Sequence, residues 1–214
     1  MTAWNHHWHG LSCCELTVER PLSPTLFRQL GRAAATIRES NLAQGAVSSY
    51  RSLAAYFSQP TSDPQHVVDL LSGVLMECLS LSSEDLNQNV TTHQVPVDYC
   101  GPDLDDVARH HSMTPDEIVD RHTAAQYVVA AVGFLPHFAY LWGLDPSIAT
   151  PRKASPRVRV PSGSVGIAND QTGIYPQQSP GGWQLIGQVS EQACRELCPK
   201  FSTGDIVTFQ DSRS

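Results

Sequence analysis

Residues 133–187 decide the fold of this chain, and they read GFLPHFAYLWGLDPSIATPRKASPRVRVPSGSVGIANDQTGIYPQQSPGGWQLIG. Prolines and glycines recur here at short, uneven intervals, and both residue types mark changes of chain direction. Between them apolar residues stand at alternating positions, which is typical of half-buried strands. The clearest examples are Val158, Val160, Val165 and Ile167. The stretch therefore predicts short strands joined by tight turns.

The sequence Ser179-Pro180-Gly181-Gly182 predicts one of these turns in detail. Pro sets φ for the first central position of a type II turn, and Gly supplies the positive φ that the second position needs. We expect a type II turn here, after which Trp183 enters the next strand.

Residues 1–90 predict a smaller α+β domain that precedes this stretch. Ser23-Pro24 and Asp63-Pro64 each supply an N-cap followed by the proline favoured at the first helical position. Apolar residues then recur at helical spacing. Strands are expected at 11–19, at 46–57 as a pair or one bent strand, and at 91–98, the last of which could belong to either domain. This order predicts a ferredoxin-like N-terminal domain.

The polar segment 82–90 predicts a linker, so we place the domains at residues 1–90 and 91–214. Thr114 and Glu117 form a capping-box sequence that opens a helix. From residue 127 to Phe209 we expect a closed or nearly closed β-barrel. The elements predicted before the barrel motifs are helices at 102–110 and 115–122 and a buried strand at 127–135.

Composition excludes several classes of protein. The chain has 214 residues, of which 41% are hydrophobic and 16% charged, and its formal net charge of −7 argues against a general nucleic-acid binder. Its apolar runs are too short to span a bilayer, and residues 1–20 lack the pattern of a signal peptide. We therefore expect a cytoplasmic protein with no membrane partner.

The cysteines and the histidine-rich opening raise the question of a metal site. The chain has six cysteines, and His6, His7 and His9 lie close together near its start. Paired CxxC or HxxxH spacings are absent, so we predict reduced thiols and no metal site. The His/Trp opening itself is predicted to be a mobile, partly disordered end.

Five ordered motifs resemble one protein family. They are FxPxFAYL at 134–141, PR…PR at 151–157, VPSGSVGIA at 160–168, QTGIYP at 171–176 and SPGGWQLIG at 179–187. This set is similar to the B subunit of bacterial 5-oxoprolinase, whose family includes Kip-type histidine-kinase inhibitors and proteins named allophanate hydrolase subunit 1. The resemblance continues upstream through GPDLDDVA at 101–108 and His122-Thr123.

The resemblance implies a cyclophilin-like barrel and a non-autonomous enzyme subunit. Its expected activity is the ATP-dependent opening of 5-oxo-L-proline to L-glutamate, with a homologous C-type subunit and an A subunit as partners. ATP is implied by the family alone, since this chain has no phosphate-binding motif. Three alternatives stay open: a histidine-kinase inhibitor, an allophanate- or urea-type amidohydrolase subunit, and a barrel whose partner has been lost.

Arg157 is the best candidate for binding a substrate anion. It lies among four cations within eight residues, with Arg152, Lys153 and Arg159, and its guanidinium could hold a carboxylate or phosphate through two hydrogen bonds. The other three cations are equally typical of a solvated strand edge. Further substrate-binding candidates are the polar residues of the motifs, which could instead satisfy turns or pack in the core: Ser164, Gln171, Thr172, Tyr175 and Ser179.

A catalytic nucleophile and base are hard to find. Between residues 134 and 187 the carboxylates are Asp145 and Asp170, and the imidazole is His137. His137 stands where the family usually has Gly, so it is not an inherited base, and its ring is expected at the mouth of the pocket. Asn169 also replaces a family Gly, a mild change because Asn tolerates positive φ. His122 is the candidate site imidazole, with a core or capping role as the alternative.

Overall fold

The computed structural model describes residues 4–88 and 90–213. Within it the chain divides into two compact units, Met1–Val90 and Thr91–Ser214. Each contains helices and strands, and each has its own buried apolar cluster. The predicted α+β class is confirmed.

The first unit is an antiparallel four-stranded sheet with order β1-β2-β4-β3, packed against helices. Alternate residues of the second strand, Cys14, Leu16 and Val18, are buried against apolar residues of the two long helices. The elements are β1 Trp4–Trp8, β2 Cys13–Val18, α1 Pro24–Glu39, β3 Gly45–Ser49, β4 Ser52–Tyr56, α2 Pro64–Leu79 and α3 Ser83–Asn87.

Both long helices of this unit begin where the sequence predicts. The Ser23 hydroxyl accepts a hydrogen bond from the Leu26 amide at 3.1 Å, and the Asp63 carboxylate accepts one from the His66 amide at 3.0 Å. Each bond satisfies a backbone donor that the first turn of a helix leaves free. The pair of strands predicted at 46–57 forms as the hairpin of β3 and β4.

Several predictions for this unit need correction. The His/Trp opening is an ordered edge strand, because the partly buried rings of Trp4 and Trp8 pack against the apolar cluster. The strand expected at residues 91–98, which the sequence left open to either domain, belongs to the sheet of the second unit. The predicted linker 82–90 contains α3, which opens with a capping box of Ser82 and Asp85.

The second unit is built on a seven-stranded sheet with order β12-β9-β10-β7-β6-β13-β5, and a separate ribbon pairs β11 with β8. β5 and β13 are parallel, and the other neighbours are antiparallel. The strands are β5 Thr92–Val97, β6 Gln126–Val132, β7 Ala139–Trp142, β8 Arg157–Val160, β9 Ser164–Ala168, β10 Gln171–Ile174, β11 Ser179–Gly181, β12 Gln184–Gln188 and β13 Ile206–Asp211. The helices are α4 Leu104–His110, α5 Pro115–Ala124 and α6 Glu191–Leu197, with short 3₁₀ turns at Pro146–Ile148 and Cys198–Lys200.

The sheet curves into a nearly closed barrel, as predicted. Its two outer strands meet through paired backbone hydrogen bonds of 2.9 and 2.8 Å between Asp98 and Gln188. Gly101 lies at the same seam, where a Cβ atom would stand 2.3 Å from the carbonyl carbon of Ile186. Only glycine fits so close to the backbone, which explains its place in the GPDLDDVA motif.

Two local predictions for the barrel need correction. β6 ends at Val132 rather than at residue 135, because the chain turns away and leaves Phe134 64% exposed with φ of 72°. Ser179–Gly181 is a short strand rather than a type II turn. Gly181 is required for space: a Cβ there would stand 2.5 Å from the Tyr175 hydroxyl oxygen.

Candidate functional site

Asp103 organises the cations of the PRKASPR segment. Its Oδ1 accepts hydrogen bonds from Arg157 Nη2 at 2.6 Å and Lys153 Nζ at 2.9 Å, and its Oδ2 accepts one from the Leu185 amide at 2.7 Å. The Asp103 side chain is only 3% exposed. Burial alone would raise the pKa of this carboxyl, but the hydrogen bonds from Arg157, Lys153 and Leu185 hold it below its ordinary value.

Arg157 therefore binds a carboxylate of its own chain. Its side chain is 24% exposed and also approaches the Trp183 carbonyl at 3.4 Å. The sequence predicted that this guanidinium holds a substrate anion, whereas here it fixes the segment against the barrel. Asp103 was not among the predicted site residues, although it lies in the GPDLDDVA motif, and its partners stand 50 and 54 residues along the chain.

An aromatic cluster lies beside these cations. Phe138 contacts Tyr175 and Trp183 edge to face, with ring centroids 5.3 and 5.4 Å apart, and Tyr140 lies 5.9 Å from Trp183. Tyr175 is only 1% exposed, so of its two predicted roles it takes the packing one. Burial raises the pKa of Tyr175, and a hydrogen bond from the Trp183 backbone opposes that shift.

The segment around Arg152 is fixed by its neighbours. The Pro151 carbonyl accepts a hydrogen bond from Gln184 Nε2 at 2.9 Å, and the Lys153 amide donates to the Gly182 carbonyl at 2.7 Å. Both bonds tie the backbone to the residues on either side of Trp183. Arg152 itself is exposed, so a charged side chain projects from a rigid base beside the aromatic cluster.

The other predicted substrate-binding residues do not converge. Ser164 is buried, and its hydroxyl donates to Gln188 Oε1 at 3.3 Å. The Ser179 hydroxyl donates to the Pro180 carbonyl at 3.1 Å. Gln171 is partly buried at the start of β10, opposite Trp142. Thr172 points into the barrel, where it meets His122.

His122 belongs to a closed hydrogen-bond chain inside the barrel. The Thr172 hydroxyl donates to the Gly166 carbonyl at 2.9 Å, so it accepts from His122 Nε2–H, also at 2.9 Å. His122 Nδ1 then accepts the Tyr99 hydroxyl proton at 2.7 Å. This assignment satisfies both ring nitrogens of a neutral imidazole.

The candidate base is therefore a core histidine. His122 is 0% exposed, and burial lowers its pKa to about 3. Its ring stacks on Phe209 with centroids 4.6 Å apart. A neutral imidazole sealed from solvent cannot contact a substrate at the surface. The position of His122 therefore supports the alternative role in the core and not the catalytic one.

His137 lies at a strained position near the aromatic cluster. It is exposed with φ of 68°, a conformation that favours glycine. This backbone angle explains why the family usually has Gly here. Asn169, the second departure from a family Gly, has φ of 53°, which agrees with the tolerance expected of Asn. His137 thus adds an imidazole next to Phe138 at some cost in backbone strain.

A separate shallow cleft of about 500 Å³ lies elsewhere on the barrel unit. It contains an ion pair between Arg121 and Asp145, whose Nη1 and Oδ2 atoms are 3.2 Å apart. None of the predicted site residues lines it. The lining residues are Glu117, Asp120, Arg121, Ala124, Ala125, Gly143 and Asp145.

Within residues 4–88 and 90–213, no group of three or more His, Cys, Asp or Glu side chains could hold a metal ion. All six cysteines fall in this part of the chain and are free thiols, with Cys194 and Cys198 Sγ atoms 3.6 Å apart. No helix in the described ranges has the length and apolar character needed to cross a membrane.

Comparison with known proteins decides the family. The model of the carboxyltransferase domain, subdomain C and D, matches residues 4–196. The chain belongs to this family. The match covers most of the chain, so it includes residues of both units.

Two curated relatives of this carboxyltransferase-domain chain are named as the B subunit of 5-oxoprolinase. The Bacillus subtilis protein is 46% identical over 139 residues, or 62% of this chain and 58% of that protein. The Haemophilus influenzae protein is 50% identical over 101 residues, or 46% of this chain and 47% of that protein. These matches confirm the resemblance that the motifs predicted. The matched part is about half the length of these relatives.

Two solved structures have the same fold as this chain. The protein TTHA0988 superposes with a TM-score of 0.73 at 28% identity, covering 100% of this chain and 41% of that one. Kluyveromyces lactis urea carboxylase superposes with a TM-score of 0.70 at 15% identity, covering 97% of this chain and 22% of that one. The second likeness shows the fold alone. In both proteins the shared module is part of a longer polypeptide.

Proposed function

We propose that this chain is the B subunit of an ATP-dependent 5-oxoprolinase, which opens 5-oxo-L-proline to L-glutamate. It acts with a homologous C-type subunit and an A subunit and is inactive alone. The observation that carries the proposal is its identity of 46–50% to proteins that are named as the 5-oxoprolinase B subunit. Such a name implies that those proteins work with other subunits.

The geometry of the barrel supports a role as half of a site. Hydrolysis of a cyclic amide needs a nucleophile and a group that moves protons. The one imidazole that the motifs offered as a base, His122, is sealed in the core at 0% exposure. What the surface provides instead is a rigid cationic segment beside aromatic rings. We therefore assign proton transfer to a partner subunit and substrate orientation to this chain.

ATP is assigned to the partners as well. The sequence has no GxxxxGK[ST] loop, the motif whose backbone amides hold phosphates. ATP supplies the driving force for ring opening when bound elsewhere in the complex. The residues of this chain would bind the substrate anion and fix its orientation.

Reconstitution tests this function. The purified chain alone should show no 5-oxoproline-dependent ATP hydrolysis, and addition of the C-type and A subunits from the same source should produce it. The mixture that lacks only this chain is the control and should be inactive. The proposal is wrong if the full mixture has no substrate-dependent turnover. If the chain instead blocks autophosphorylation of a sensor histidine kinase, the inhibitor alternative replaces it.

A further inference from the structure

The four cations of residues 152–159 are not equivalent. Lys153 and Arg157 share one carboxylate, Asp103, at 2.9 and 2.6 Å. In the part of the chain that the structure describes, neither Arg152 nor Arg159 has an acidic side chain within ion-pair distance. Two positive charges are therefore left to attract an anion from outside.

Arg152 is the better placed of these two. Its neighbours on both sides are hydrogen-bonded to the residues flanking Trp183, through Gln184 and Gly182. The backbone beneath its side chain is thus fixed before any ligand arrives, which lowers the entropy cost of binding. Arg159 lies in the outer ribbon strand β8 next to Val158, which is 89% exposed.

The surroundings of Arg152 suit a flat, carboxylate-bearing ring. Tyr140 is partly buried and contacts Trp183 and Phe138 edge to face, at 5.9 and 4.9 Å. Burial raises the pKa of Tyr140, and the positive charge of Arg152 opposes that shift. The Arg152 charge acts on the pKa of Tyr175 in the same sense. The hydrogen bonds of Pro151 and Lys153 to Gln184 and Gly182, which flank Trp183, place Arg152 beside the aromatic cluster.

We propose that Arg152 binds the carboxylate of 5-oxo-L-proline and that the lactam ring lies against the Tyr140 side of the aromatic cluster. The inference rests on the proposed function and adds to it the residue that recognises the substrate. A guanidinium holds a carboxylate through two charge-assisted hydrogen bonds, which fixes the orientation of the attached ring. Arg157 then has a positioning role, since it holds the segment in place through Asp103.

The test uses the complex reconstituted with its C-type and A subunits. Arg152→Ala should raise the KM for 5-oxoproline about 10- to 100-fold, the usual range for a lost charge-assisted contact, while kcat changes much less. Arg152→Lys should recover part of this loss, because the charge stays and the two-bond geometry does not. Arg159→Ala is the matched control and should leave KM within about twofold of the wild type.

A competitor without a carboxylate separates anion binding from general damage. Inhibition by 2-pyrrolidinone, the same ring without its carboxylate, should be equal in the wild-type and Arg152→Ala complexes. A KM for 5-oxoproline that stays unchanged in Arg152→Ala, with turnover intact in the wild type, overturns the Arg152 assignment and leaves the proposed function standing. A wild-type complex with no turnover overturns both.

Discussion

The barrel contains two polar networks that differ in exposure and in charge. In the core, the side chains of Tyr99, His122 and Thr172 form a neutral hydrogen-bond network. Each donor in it has an acceptor, either another side chain of the network or the Gly166 carbonyl. In the second network one buried carboxylate, Asp103, holds Lys153 and Arg157, while the nearby residue in sequence, Arg152, is exposed. The hydrogen bonds of the first network are complete without a ligand, whereas in the second the positive charges outnumber the single carboxylate. Under our proposal, the core network serves stability and the second network serves recognition.

Truncation of the core histidine should have the largest effect. His122→Ala leaves a cavity and deprives Tyr99 and Thr172 of a partner, so the free energy of unfolding should fall by about 3–5 kcal/mol. Urea denaturation, monitored by circular dichroism, measures this free energy. His137→Ala, a change at an exposed histidine, should cost less than about 1 kcal/mol. Equal losses in the two variants would contradict a structural role for His122.

The burial of His122 should also make the free energy of unfolding depend on pH. Its pKa is lowered to about 3 in the folded chain, against an ordinary value of about 6.5 in the unfolded one. Below pH 6.5 the imidazole binds a proton in the unfolded state but stays neutral in the folded state. The contribution of His122 to the free energy of unfolding is therefore fully present above pH 6.5 and is lost as the pH falls towards 3. The slope from this residue approaches about 1.4 kcal/mol per pH unit.

The control for this pH effect is His122→Gln, in which the titrating group is removed. Its unfolding free energy should be lower at neutral pH but should decline less steeply between about pH 6.5 and 4. A variant with the same slope as the wild type would show that other groups cause the acid sensitivity.

Loss of the buried Asp103 carboxylate should have an intermediate effect. Asp103→Asn removes the negative charge from beneath Lys153 and Arg157 while keeping the shape of the side chain, and should cost about 2 kcal/mol, since both cations remain partly solvated. Asp105→Asn, an exposed carboxylate in α4, should cost less than about 0.5 kcal/mol. Chemical denaturation measures the free energy of unfolding of both variants. If Asp103→Asn loses no more than Asp105→Asn, the ion pairs of Asp103 do not fix the segment of residues 152–159.

The smallest expected effect is a gain in stability. His137→Gly relieves the positive φ of 68° and should stabilise the chain by about 0.5 kcal/mol, because the relief exceeds the extra chain entropy of glycine. His66→Gly, a matched change inside helix α2, should destabilise by about 0.5 kcal/mol. Thermal melts of the two variants should therefore move in opposite directions.

Local signals predicted much of the fold, because they act within a few residues. The caps at Ser23 and Asp63 and the capping box at Thr114 all form as expected. The sheet that β5 joins was left open, because β5 pairs with β13, which lies more than a hundred residues further along the chain. No local pattern states which sheet such a strand will join.

The candidate site was less predictable for the same reason. Motifs singled out Arg157 and Thr172 as polar residues, but their roles depend on partners from other motifs, Asp103 and His122. Single polar residues between glycines and prolines show no periodicity, so the sequence does not indicate which of them are buried. His137 was identified as a departure from the family pattern, and its φ of 68° explains why Gly is usual at this position.

The division between core and surface networks is tested most directly by 5-oxoproline-dependent ATP hydrolysis of complexes carrying His122→Gln or Arg152→Ala, measured below the melting temperature of both. We predict that His122→Gln lowers the melting temperature of the chain yet keeps kcat/KM within about threefold of the wild type. Arg152→Ala should keep the melting temperature and lose kcat/KM about 10- to 100-fold. The opposite pattern, with activity lost in the His122 variant and retained in the Arg152 variant, would contradict this division.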